Sequence, residues 1–138
     1  MACEFCSGSG GLVLWQGPHY RVIYVEEPGY AGFCRVVWNA HVKEMTDLDE
    51  GQRACFLQGV FAVETALRRL ISPEKINLAC LGNLTPHLHW HVIPRYADDP
   101  HFPMPIWAAA QRPATRGTDP ALASNIAREL DAALGRHA

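Results

Sequence analysis

A chain of 138 residues that is 49% hydrophobic and 19% charged is not a disordered polypeptide, and it has enough apolar surface for one core. Its formal charge of −2 removes any chain-wide attraction for nucleic acid or an anionic membrane. No apolar run approaches the roughly 20 residues of a membrane span, Met1–Gly11 lacks a signal-peptide core, and five cysteines, an odd number, suit a reducing compartment, so a cytoplasmic protein is expected.

In chain order, Cys3-Glu4-Phe5-Cys6 runs into the flexible turn Ser7-Gly8-Ser9-Gly10-Gly11. Leu12–Trp15 reads as a short strand broken by Gly17-Pro18, and the β-branched and aromatic Tyr20–Val25 as a second. Pro28-Gly29-Tyr30-Ala31-Gly32 turns into a third strand, Phe33–Trp38, antiparallel to the second. Thr46 with Asp49 three residues on resembles a capping box for a long helix reaching about Leu70. Phe56, Val60, Val63, Leu67 and Leu70 make one apolar stripe along it, which should cover a face of the sheet. Ser72-Pro73 stops the helix, and Lys75–Leu81 is the next strand.

Gly82-Asn83-Leu84-Thr85-Pro86 is the turn into His87-Leu88-His89-Trp90-His91-Val92-Ile93. Histidines at every second position, alternating with bulky apolar residues, are the mark of a strand with one buried face. His87, His89 and His91 then share the other face, with Leu88, Trp90 and Val92 packed behind them. Beyond Arg95, Asp98-Asp99-Pro100 and Pro103, Pro105 and Pro113 indicate an irregular arm. Asp119-Pro120 reads as N-cap and first position of a last helix with Leu122, Ile126, Leu130 and Leu134 on one side and Gly135 as its stop. The expected architecture is α+β, an antiparallel sheet under a long helix, in a single domain spanning 1–138 with its core in 1–95 and the arm and C-terminal helix in 96–138.

A row of neutral imidazoles offers a nucleophile near pH 7 and a neighbouring donor for charge on phosphate oxygens, or else ligands for a metal. Metal-dependent catalysis would want a carboxylate beside them, and the nearest, Asp98 and Asp99, follow the strand in a loop. Cys3-x-x-Cys6 taken alone is a redox pair, half a zinc site or a frayed terminus. Asn77 is a ribose or phosphate contact or an edge-strand amide; Arg95 reaches phosphates or faces solvent; Trp107 covers a site or packs the tail.

The His-φ-His-φ-His-φ-φ pattern, with φ apolar and Ile93-Pro94-Arg95 trailing, resembles the histidine-triad (HIT) superfamily of nucleotide hydrolases and transferases, and within it the bacterial diadenosine polyphosphate hydrolase-like branch. The resemblance covers about residues 3–95 and implies a half-barrel sheet with a long helix packed on it. It implies His89 as nucleophile at an α-phosphorus, His91 against a phosphate oxygen and the leaving group, and His87 supporting them, with no cofactor required for the chemistry. The upstream His41 matches the family histidine after the third strand, although Trp38-Asn39 stand where Pro-Lys are common. Relatives with a similar Cys pair imply a structural zinc on Cys3, Cys6, His41 and His87. The turn departs from the usual Gly-Gln-(Ser/Thr)-Val-x-His, offering Asn83 in the Gln place, Leu84 where a hydroxyl is expected, and Thr85 as a substitute. A slot for the base is expected around Leu12, Phe33 and Val36. Candidate substrates are dinucleoside polyphosphates and nucleoside phosphoramidates, and the resemblance further implies a homodimer; charge and hydropathy give no reason to expect nucleic acid or membrane as partner. The alternative is a nucleotide-binding or sensing module with little turnover.

Overall fold

The computed structural model describes residues 3–136. Its elements are a single helical turn α1 (Glu4–Ser7), strands β1 (Leu12–Gln16), β2 (Tyr20–Tyr24) and β3 (Cys34–Trp38), the long helix α2 (Glu50–Ile71), strands β4 (Lys75–Ala79) and β5 (His89–Arg95), and helix α3 (Leu122–Leu134). The strands form one five-stranded sheet in the order β1-β2-β3-β5-β4, with every neighbouring pair antiparallel. This is the α+β arrangement anticipated above, an antiparallel sheet under a long helix.

Alternation along the strands divides the sheet into two chemically different faces. Tyr20, Val22 and Tyr24, Cys34, Val36 and Trp38, and Val92 face α2, where Phe56, Val60, Val63 and Leu67 complete the core. In β1 the register shifts between Val13 and Trp15, a bulge that re-aims Trp15 to the helix side, where it meets Tyr20. Gly59 lets α2 approach: a Cβ there would lie 2.3 Å from the Tyr20 ring. Helix α3 packs on α2 and β1, and Trp15 Nε1 donates to the carbonyl of Gly135 at 2.7 Å.

The other face carries Arg21, Ile23, Arg35, Val37, His89 and His91, in cross-strand rows set by register: Arg35 lies opposite His91, and Val37 opposite His89. Phe5 closes part of this face by packing on Ile23 and Val37.

Several boundaries differ from expectation. The α2 cap is Asp49 with Gln52, not Thr46 with Asp49: Asp49 accepts from Gln52 N at 2.8 Å, and Asp49 N donates to Gln52 Oε1 at 2.9 Å. Thr46 instead sits in a one-turn 3-10 helix, Met45–Asp47, where Asp47 accepts from Glu44 N. At α3 the N-cap is Ala121, not Asp119, because the Asp119 carboxylate and carbonyl close a preceding turn onto Ala121 N and Leu122 N. The histidine strand begins at His89, since His87 N closes a tight turn onto Thr85 O. Strand β2 stops at Tyr24 and β4 at Ala79.

Candidate active site and metal centre

His89 and His91 stand on β5 with 6% exposure each, held from behind by Leu88 and Val92 in the core. Their rings meet edge to face, with centroids 4.9 Å apart. His89 Nδ1 lies 2.6 Å from the backbone oxygen of His87. A carbonyl only accepts, so Nδ1 carries the proton and Nε2 holds a lone pair. His91 presents the opposite tautomer: Arg35 Nε, which only donates, points at His91 Nδ1 across 3.5 Å, leaving the proton on Nε2. Burial lowers both histidines below the ordinary imidazole range, and for His91 the neighbouring His89 and Arg35 add to this, bringing it to about 3. One ring thus offers a lone pair and its neighbour an N–H, both neutral at pH 7.

They open into a cavity of about 440 Å³ lined by Glu4 and Phe5 from α1, Arg35 from β3, the 81–85 turn, and Trp107 from the arm. The Trp107 ring meets His91 edge to face at 5.2 Å and is 53% exposed. Asn83 and Thr85 line this cavity, and the Thr85 hydroxyl donates to Glu4 Oε1 at 3.3 Å.

Asn77 and Arg95 lie elsewhere. Arg95 is 3% exposed and its guanidinium is taken up by Asp99 (2.8 and 3.1 Å), Asn77 Oδ1 (2.9 Å) and the Met104 carbonyl (2.7 Å). Asp99 also accepts from Tyr30 and from the N–H groups of Tyr96, His101 and Phe102, so this pair organises the start of the arm. Of the expected base slot, Phe33 lies beside the site, its ring centroid 6.0 Å from that of His91, whereas Val36 faces α2 and Leu12 is 58% exposed.

His87 turns away from the cavity. Its Nε2 donates to the Trp38 carbonyl at 2.6 Å, which leaves the Nδ1 lone pair directed at Cys3 Sγ (3.3 Å), Cys6 Sγ (3.5 Å) and His41 Nδ1 (3.1 Å). Cys6 Sγ lies 3.3 Å from His41 Nδ1, and all four donor atoms fall within 4.8 Å of one another. Tetrahedral zinc with Zn–N and Zn–S bonds of about 2.05 and 2.3 Å has N–N and N–S edges of about 3.3–3.6 Å, so this donor set fits the ion in number, type and spacing. The Cys pair has its own support: Phe5 is buried against the rings of His87 and His89, and Arg21 donates to the carbonyls of Phe5 and Ser9. A buried anchor holds the pair in place, not a frayed terminus.

A family model described as HIT domain matches residues 10–98. The chain belongs to the HIT domain family. Among solved structures it is similar to a histidine triad protein from Bradyrhizobium japonicum, with 29% identity, a TM-score of 0.68, and 88% of this chain and 89% of that one covered. A histidine triad protein from Sinorhizobium meliloti (24%, TM-score 0.71, 90% of each chain) and a zinc-bound histidine triad family protein from Mycobacterium smegmatis (22%, 0.63, 97% and 94%) share the fold. No curated protein sequence matches the chain. Membership in the HIT family places the chain in a superfamily that binds nucleotides and consists in general of hydrolases and transferases. Among the described residues no helix is long and apolar enough to cross a membrane.

Residues of the HIT site that the sequence motif left out are Glu4, Phe5, Arg21 and Arg35. Arg35 had a visible signal, a lone cation within the apolar run Phe33-Cys34-Arg35-Val36-Val37. The others required the fold of the N-terminal turn.

Proposed function

We propose that this HIT protein is a nucleotide hydrolase or transferase acting at the α-phosphate of dinucleoside polyphosphates or nucleoside phosphoramidates, as in the diadenosine polyphosphate hydrolase-like branch. What carries the reading is the His89 Nδ1–H bond to the His87 carbonyl, which leaves a neutral, half-enclosed Nε2 lone pair at a cavity of nucleotide-fragment size. Nε2 forms a bond to the α-phosphorus while the bond from phosphorus to the leaving oxygen or nitrogen breaks. The positive charge on the substituted imidazole is shared through Nδ1–H with the His87 carbonyl. His91, with its proton on Nε2, donates to a phosphate oxygen or the departing group. Water, giving up a proton to a phosphate oxygen or to solvent, or another acceptor in transfer, then forms the new bond to phosphorus as the P–N bond breaks, releasing the nucleoside monophosphate and restoring His89.

Zinc on Cys3, Cys6, His41 and His87 would be structural, fixing the backbone whose carbonyl orients His89. The same reading has the chain work in the cytoplasm, where thiols stay reduced, with a nucleotide and neither nucleic acid nor membrane as its partner. It also pairs the chain as a homodimer through the sheet and α2, supported by the exposed Leu12 and Phe61.

The test is product analysis in ¹⁸O-labelled water with diadenosine tetraphosphate and adenosine phosphoramidate. Labelled AMP from either substrate is expected; neither substrate releasing AMP would overturn the reading in favour of a binding module.

A further inference from the structure

Arg35 is the one arginine or lysine lining the cavity among the described residues. It is half-buried, stacks its guanidinium 5.7 Å from the Phe33 ring centroid, and has no carboxylate within ion-pair distance among the described residues. Only Nε makes a side-chain contact, the long one to His91, which leaves both terminal amino groups without a protein acceptor among the described residues. An arginine that Glu4 and Glu27 influence only from beyond ion-pair distance keeps its terminal donors open to an anion beside the would-be nucleophile.

The turn that should hold phosphate is poorly equipped to do so. Leu84 is apolar and 94% exposed, Pro86 has no N–H, and the Thr85 hydroxyl is engaged with Glu4, so Asn83 is the one side-chain donor the turn brings to the cavity. Register supplies the replacement: Arg35 is directly opposite His91 and one row from His89, whose ring centroid is 4.9 Å from that of His91. A phosphorus in attack position about 3–3.5 Å from His89 would carry its non-bridging oxygens into reach of the guanidinium.

We propose that Arg35 is the main phosphate-binding residue of this site, its two free amino groups taking the non-bridging oxygens of the α-phosphate where the 82–86 turn supplies Asn83 as its one side-chain donor. The inference rests on the nucleotide reading above and makes the site selective for a 5′-phosphoryl group over the bare nucleoside.

Calorimetric titration with AMP and GMP, using adenosine and guanosine as phosphate-free controls, tests this without turnover. Wild type should prefer at least one monophosphate over its nucleoside by about 10- to 100-fold, the range of charged hydrogen bonds. R35M, which keeps the stem over Phe33, should bring that preference to within about threefold with nucleoside affinity unchanged, and R35K should retain part of it. R35Q replaces R35M if circular dichroism shows the latter unfolded. Undiminished preference for the monophosphate in R35M or R35Q would overturn the role of Arg35 while leaving the nucleotide site standing. A wild type that binds none of the four compounds would overturn the nucleotide reading and this inference together.

Discussion

One hydrogen bond, 2.6 Å from His89 Nδ1 to the His87 carbonyl, joins the proposed nucleophile to the last member of the Cys3-Cys6-His41-His87 cluster. Anything that loosens His87 therefore changes the tautomer and aim of His89.

Elemental analysis should accordingly find about one zinc per chain, bound by these four residues. Stripping it with a chelator, or Cys3→Ser, should lower the thermal midpoint and reduce kcat by about 10- to 100-fold with KM little changed, the usual scale for groups that orient a reactive residue. Metal-free protein of undiminished Tm and kcat would contradict the coupling.

Trp107 discriminates a cover from a packing role. At 53% exposure it contributes little to the fold, so Trp107→Ala should leave Tm within about a degree or two and raise KM by a factor of about 2–10, the worth of one aromatic contact. A large fall in Tm with KM unchanged would make it a strut for the arm.

The Arg95–Asp99 pair carries an acid-stability prediction. Burial alone would push the Asp99 carboxyl up, but the Arg95 guanidinium and the N–H groups of Tyr96, His101 and Phe102 hold it well below the usual carboxylate range. Its stabilisation is therefore complete above the unfolded value of about 3.9 and is lost as pH falls from there through the folded value. Asp99→Asn should destabilise the protein by about 3–5 kcal/mol at pH 7, with the difference from wild type shrinking toward pH 2 in urea titrations. A constant difference across that window would rule out this linkage.

Gly59→Ala on α2 tests the packing of the helix face. Alanine adds about 1 kcal/mol of helix propensity, yet its Cβ would meet the Tyr20 ring at 2.3 Å, and overpacking costs about 1–3 kcal/mol. A net loss of stability in urea denaturation is expected; a gain would show that Tyr20 yields freely.

What the chain showed before folding follows from the range of the forces involved. The histidine alternation, the α2 stripe and Cys3-x-x-Cys6 are local patterns, and each marks a real element or cluster in the structure. The burial of Arg95 is not legible in the sequence because its partner Asp99 lies on an arm whose path no periodicity reveals. Val36 shares parity with Cys34 and Trp38 and faces α2 with them, so the expectation of a base slot around it fails on strand alternation. Arg35 became meaningful only when register set it opposite His91. The helix cap slipped by three residues because Glu44/Asp47 and Asp49/Gln52 are two consecutive boxes, and local sequence does not rank them.

The central claim, covalent transfer through His89, is tested most directly by rapid-quench intact mass spectrometry without acid. Wild type mixed with diadenosine tetraphosphate or adenosine phosphoramidate should gain the mass of one adenylyl group, located on His89 by peptide mapping, and His89→Ala should show neither the adduct nor AMP release. AMP release by His89→Ala at the wild-type rate, or an adduct on another residue, would contradict the account.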